Sequence, residues 1–279
     1  MSRPAEILFI DVDGTIHGEG GIHPRVWGAV AQAQAAGLHL VLCTGRPSFG
    51  VARAYAGRLS PDGPHIFEAG ACIADATGRV IHAEPLGPDY AEIIALAETH
   101  DVIAEVFTAD GRYVVSRRSA EVQAHEALLE TEAEVVADLR ALDAPGAPPI
   151  IRVQWLLTES HPRDVFISYV NNTPALGLHL GRSPSVPHLL FTGVTRAGVS
   201  KASAARRVAE RLGCATDLST CAMVGDGLND LELLDVVGMP MTLTNGEAEV
   251  IERVKARGGH VVPSVDEGGA AEAIALALG

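Results

Sequence analysis

The sequence predicts an α/β protein, a doubly wound parallel sheet interrupted by an inserted α+β domain. Three observations carry this expectation. "ILFI" (7–10), "LHLVLC" (38–43) and "CAMV" (221–224) are short continuous apolar runs, as strands covered on both faces require. Helical patterns separate such runs, which implies right-handed strand–helix–strand crossovers. Between roughly residues 85 and 190 the pattern changes to a mixture of helices and strands, and then it changes back.

The elements follow in order. Residues 24–36 read as a helix, with Pro24 near its first turn and Gly37 as its stop. "IFEAGACIAD" (66–75) reads as a third strand opening into a hairpin. The middle region offers helices at 88–99 and 119–130 and strands at 102–107, 112–116, 151–157, 165–170 and 176–181, forming an open antiparallel sheet. "DAPGAPP" (143–149) is a loop. The α/β pattern resumes with a helix at 200–212, capped by Ser200 and Gly213. "CAMV" then leads to an acidic turn, "DLELLDVV" (230–237) to a helix and "MPMTLTN" (239–245) to a strand. A helix at 246–257, "HVVP" (260–263) and "GGAAEAIALAL" (268–278) close the domain. The expected division is a core domain of 1–84 and 191–279 and an inserted domain of 85–190.

Composition narrows the partners. The net charge is −14, from 35 acidic and 21 basic residues, whereas nucleic-acid binding relies on Lys and Arg to neutralise phosphates. Cys43, Cys72, Cys214 and Cys221 form no C-x-x-C pair, which disfavours a zinc site or a disulfide framework and fits a reducing cytoplasm. The chain opens on no secretory leader pattern, and no apolar run reaches the ~18 residues of a membrane span. The expectation is a cytoplasmic monomer or homodimer acting on a small molecule, without nucleic acid or membrane.

The chemistry gathers where strands end. "ILFI" runs into Asp11, "LHLVLC" into Thr44, and "CAMV" through Gly225 into Asp226. In open parallel sheets, ligands bind beyond the carboxyl ends of strands. Asp11, Asp13, Thr44, Arg46, Asp226 and Asp230 would then share one crevice. Four like charges there would repel, and some would protonate unless a cation relieved them. Carboxylates, carbonyls and water suit Mg²⁺, with Asp11 and Asp226 as the side-chain ligands and a substrate phosphate completing the shell. A carboxylate beside a phosphoryl group can attack it. A second carboxylate two residues on can protonate the leaving oxygen and then activate water. In extended backbone, residues i and i+2 point the same way, ~6–7 Å apart. Lys201 is one of two lysines in the chain and stands in the first turn of its helix, where the dipole disfavours a cation. Helix end and ammonium facing one anion would account for both facts.

These residues carry a resemblance. "DVDGT" (11–15), "CTGRP" (43–47), Lys201 in "GVSKA" (198–202) and "GDGLND" (225–230) resemble, in order, the four motifs of the haloacid dehalogenase superfamily. The match is nearest to its Cof-type phosphatase branch, and "IFEAGACI" and "LTNGEAEV" are similar to further segments of that branch. The resemblance covers the whole chain, loosely through 85–190. It implies a Rossmann-like core, an inserted cap that closes over the site, and hydrolysis of a small phosphomonoester such as a sugar phosphate. Asp11 would be nucleophile and metal ligand. Asp13 would be the general acid/base and would offer its main-chain carbonyl to Mg²⁺. Thr44 and the amides near Val12 and Gly45 would bind the phosphoryl group. Lys201 would neutralise it, and Asp226 would be the other metal carboxylate, with Asp230 behind it. Asn229 would support the phosphate, while Arg46 and Asn245 would border the substrate. Two departures stand out: Ala69 replaces the branch's usual Asn, and Ala202 a frequent Gly.

Competing readings fare worse. A calcium loop lacks its later bidentate Glu. A dinucleotide loop would leave Asp226 facing a pyrophosphate. Ser200 in "GVSKA" reads better as a helix cap than as a hydrolase nucleophile. A phosphomutase or phosphotransferase would use the same aspartate, a metabolite sensor would need a damaged motif, and a dehalogenase would need neither Asp13 nor metal. His17 and His23 follow the catalytic turn. Trp155, Tyr169, His179 and Arg182 lie in the inserted domain, where packing is the default reading.

Overall fold

A computed structural model describes residues 4–183 and 186–279. The described chain forms two compact units. The first takes the described residues of Met1–Gly45, Arg53–Ile81 and Ser200–Gly279, and the second those of Arg46–Ala52 and His82–Val199. The expected ranges also take in residues 1–3 and 184–185, which lie outside the described residues.

The first unit is built on a five-stranded sheet in the order His260–Val262, Met239–Leu243, Cys221–Val224, Ile7–Ile10, His39–Leu42. All neighbours are parallel; Ile10 pairs with Val224 on one side and Leu42 on the other. Ile7–Ile10 is wholly buried because both faces are covered. Helices Lys201–Leu212 and Ala248–Ala256 bury Ala205, Val208, Ala209, Val250 and Val254 with Ile7 and Phe9. Helices Pro24–Ala35 and Gly269–Leu278 pack on one another and on the strands. The expected doubly wound core is present.

The segment 66–75 departs from a single strand. His65–Phe67 and Cys72–Ala74 are separate antiparallel strands, broken by a 3₁₀ turn at Glu68–Gly70. The expected helix over 230–237 contracts to Leu231–Leu234.

The second unit carries a six-stranded sheet in the order Glu134–Val135, Tyr113–Val115, Ile103–Thr108, Ile150–Leu157, Leu190–Arg196, Leu176–Gly181. It is antiparallel except for its Glu134–Val135 edge. Helices Tyr90–Thr99 and Arg163–Asn171 contribute to its core, where Trp155 meets Phe166 edge-to-face at 4.8 Å between ring centroids.

One expectation is corrected here. Residues 165–170, read as a strand, lie inside helix Arg163–Asn171: Phe166 and Val170 are buried and Val165 is exposed, the i, i+4 spacing of a helix face. The boundary expected at 190/191 falls inside strand Leu190–Arg196, which pairs on both sides. Gly193 lies in that strand. Here it admits Arg152, since a Cβ would stand 2.8 Å from Arg152 Nε. Among the described residues, no helix is long and apolar enough to cross a membrane.

Candidate active site

The first strand stops at Ile10, and the chain turns immediately. The carbonyl of Val12 accepts the amides of Thr15 (3.2 Å), Ile16 (3.0 Å) and His17 (2.9 Å). Asp11 and Asp13 are therefore not two residues of one strand. Asp11 is buried, 5% exposed, whereas Asp13 is exposed on the turn. Gly14 makes the turn possible in two ways. Its φ is +75°, and a Cβ there would sit 2.1 Å from Asp226 Oδ2. Thr15 Oγ1 then donates to Asp226 Oδ1 at 3.0 Å.

Asp226 and Asp230 follow strand Cys221–Val224, the neighbour of the first strand. Gly225 lets the chain close on itself, since a Cβ there would stand 2.5 Å from the Asp230 carboxyl carbon. Asp230 is fully buried and accepts the amide of Gly227 on Oδ2 at 3.1 Å. Thr44 follows the strand on the opposite side. Its amide donates to Ile66 O at 3.0 Å and its carbonyl accepts from Ala69 N at 3.1 Å, so the 3₁₀ turn braces it.

Lys201 arrives from far along the chain. Ser200 caps its helix, accepting the Ser203 amide at 3.1 Å. Gly70, at φ +109°, packs against that cap: a Cβ would lie 2.2 Å from Ser200 O. The helix start thus seats on the 68–71 segment, and Lys201 reaches inward, 2% exposed. Its Nζ donates to Asp11 Oδ1 and to Asp230 Oδ1, each at 2.6 Å. At Ala69, where the resembling branch has Asn, φ is +55° and ψ +23°, a left-handed conformation that Asn tolerates better than Ala.

The charges do not balance. Asp11, Asp226 and Asp230 each offer an oxygen, all within 4.8 Å of one another. Burial drives Asp11 well above the usual carboxylate range; Lys201 opposes this, while Asp230, Asp226 and Asp13 add to it. Burial, then Asp230, lifts Asp226 to about 7, against the Thr15 hydroxyl and Lys201. Burial disfavours the Lys201 ammonium, yet Asp11 and Asp230 outweigh it and hold its pKa above the ordinary value. A buried, all-oxygen donor set with surplus negative charge suits a hard divalent cation.

Of the expected residues, Asp11, Lys201, Asp226 and Asp230 meet directly. Val12, Asp13, Thr44 and Gly45 lie on the adjoining strand ends, and Asn229 is exposed on the turn Leu228–Asp230. Asn245 bonds the backbone of residues 14 and 265. Arg46 groups with the second unit, where its guanidinium donates to Leu128 O at 3.0 Å. Sequence reasoning missed Thr15, although it lay inside "DVDGT".

The chain is similar to known proteins over nearly its whole length. A provisionally named phosphatase of Streptococcus pyogenes serotype M6 is 28% identical over 287 residues, spanning 96% of this chain and 97% of its own. Phosphatase YwpJ of Bacillus subtilis strain 168 is 27% identical over 273 residues, spanning 88% and 91%. The solved structure of a subclass IIB sugar phosphatase superposes with a TM-score of 0.77 at 21% identity, covering 97% of this chain and 98% of that one. The family model for haloacid dehalogenase-like hydrolases matches residues 8–274, and the chain belongs to that family.

Proposed function

We propose that the protein is a Mg²⁺-dependent phosphatase that hydrolyses a small phosphomonoester, a sugar phosphate or similar metabolite, through a phospho-Asp11 intermediate. One observation carries the proposal: a buried Lys201 ammonium bridges Asp11 and Asp230 while Asp226 adds a third carboxylate, with an oxygen of each within 4.8 Å of the others. Such a site attracts a cation and, through it, a phosphate. The residues that would hold the cation are Asp11, Asp226 and the main-chain carbonyl of Asp13, with Asp230 behind them. The bound cation would supply positive charge for the phosphoryl oxygens.

The chain's own groups would do the rest. An Asp11 carboxylate oxygen attacks phosphorus, and the bond to the leaving oxygen breaks as Asp13 protonates it. Asp13, now a carboxylate, takes a proton from water, which attacks the aspartyl-phosphate and releases inorganic phosphate with Asp11 restored. The Lys201 ammonium and the Thr44 hydroxyl hold the phosphoryl group, with the amides of Val12 and Gly45. Lys201 also opposes the rise that burial gives the Asp11 pKa. The second unit is assigned the selection of substrate. The sugar-phosphatase neighbour, alike in fold, supports this substrate class.

The test is phosphate release across a panel of phosphorylated metabolites, ranked by kcat/KM, with Mg²⁺ and with EDTA. Expected is Mg²⁺-dependent accumulation of inorganic phosphate, strongest with small sugar phosphates. An isomerised sugar phosphate without free phosphate would instead identify a mutase, and undiminished turnover in EDTA would remove the metal from the scheme.

A further inference from the structure

Asn245, which the family resemblance placed beside the substrate, bonds the main chain of two other segments. It follows strand Met239–Leu243 in a loop that is itself tied down. Thr244 N donates to Val262 O at 3.0 Å, Gly246 N to Leu243 O at 3.0 Å and Glu247 N to Asp226 O at 2.9 Å. From this anchored position its carboxamide uses both ends on main chain. Nδ2 donates to the carbonyl of Gly14 at 2.8 Å, and Oδ1 accepts the amide of Val265 at 2.8 Å. An amide with both ends committed to backbone is poorly placed to read a leaving group.

The carbonyl it grips belongs to the residue after Asp13. Asp13 is exposed and stands past the end of its strand, on the turn that this carbonyl belongs to. That turn is fixed from inside by the amides on Val12 O and by Gly14 N donating to His17 O at 3.0 Å. Thr15 fixes its far side through Asp226. Asn245 supplies the outer hold on Gly14 itself. A proton donor must keep its place within a fraction of an ångström to act on a leaving oxygen.

We propose that Asn245 is a positioning residue: through the Gly14 carbonyl it holds the Asp13 turn in register for proton transfer, and it does not bind substrate. The inference rests on the assignment of Asp13 as general acid in the proposed phosphatase.

The experiment compares wild type, Asn245→Ala, Asn245→Asp and Asp13→Ala on two phosphomonoesters, an alkyl phosphate whose leaving oxygen needs a proton and an activated aryl phosphate whose leaving oxygen does not. Asn245→Asp keeps the acceptor for Val265 and loses the donor to Gly14, and it serves alone should Asn245→Ala fail to fold. Expected in both Asn245 variants is a loss in kcat/KM, which reports transfer to Asp11 and not the later hydrolysis of the adduct, of roughly ten- to a hundredfold with the alkyl ester and under about threefold with the aryl ester. Asp13→Ala should show the same preference more strongly. Equal losses on both esters would reduce Asn245 to a structural role and overturn the proposal. A raised KM that varies with the leaving group would overturn it in favour of substrate contact. If Asp13→Ala itself lacks the preference, the acid assignment fails, and the role given to Asn245 fails with it.

Discussion

Each unit buries charged side chains on a sheet, and the two balance them differently. In the second unit Glu105 is fully buried and accepts from the Tyr113 hydroxyl, from His125 Nδ1 at 2.7 Å and from Gln154 Nε2 at 2.8 Å. Arg152 donates to Gln154 in turn, and Arg118 pairs with Glu126, which also accepts the Ala133 amide at 2.7 Å. These acids end on donors, and the network fixes one arrangement of strands and helix. In the first unit three carboxylates converge on one ammonium, and both Asp11 and Asp226 are pushed above their ordinary range. Burial alone does not separate a site from scaffolding. Charge balance does: the acids of the second unit end on donors, while the carboxylates of the first outnumber the ammonium they surround, an excess that a bound cation would relieve.

The largest effect should come from the unmatched cluster. Asp11→Asn is expected to cut kcat/KM by on the order of 10⁴-fold or more, with an unchanged circular dichroism spectrum. More than a few per cent of residual activity would remove Asp11 as nucleophile.

The next effect is a difference in sign. Glu105→Ala should cost about 3 kcal/mol in urea unfolding, because it strands donors that are otherwise satisfied. Asp226→Asn, measured without metal near pH 7.5, should stabilise the protein by on the order of 1 kcal/mol, because it removes repulsion. The same variant should also lose the rise in Tm that Mg²⁺ gives the wild type. Destabilisation by both substitutions would break the contrast between the units.

The smallest effect sharpens the contrast within the first unit. His65 is buried but matched: Nδ1 accepts the Leu42 amide at 3.0 Å, and Nε2 faces Ser60 O at 2.8 Å. Protonation would set N–H against N–H. Burial, opposed in part by the Ser60 carbonyl, accordingly lowers its pKa from 6.5 to about 4. The unfolded chain takes up this proton first. The contribution of neutral His65 is therefore complete above pH 6.5 and is lost as pH falls toward 4, by up to about 3 kcal/mol. Urea unfolding of wild type and His65→Gln between pH 7 and 4 should give curves that converge as the pH drops. Parallel curves would mean that His65 carries no such linkage.

The core was readable in the sequence because local and global signals agree there. Ile7–Ile10 is apolar at every position, and both faces of its strand are covered. The site was readable because its acids, its lysine and its glycines occur in recognisable order. The strand geometry assumed for Asp11 and Asp13 was not, because the Val12 carbonyl gathers three amides and ends the strand at Ile10. Residues 165–170 misled because Val, Phe, Ile, Tyr and Val favour strands, while packing of Phe166 against Trp155 favours a helix. Strand Leu190–Arg196 was not among the expected strands, and the place of its Gly193 appears only once Arg152 is beside it. The hydroxyl of Thr15 and the two-ended hold of Asn245 depend on partners 211 and 231 positions away, distances over which no local pattern speaks.

The central claim is that Asp11 carries the phosphoryl group. Asp13→Asn should still accept phosphate from an activated aryl phosphate, whose leaving oxygen needs no proton, yet hydrolyse the adduct slowly for want of a base. Rapid quenching followed by peptide mass spectrometry of that variant is expected to find the phosphoryl group on the Asp11 peptide, and to find none when Asp11→Asn is added. An adduct on any other residue, or phosphate release at full rate with no adduct formed, would contradict the claim.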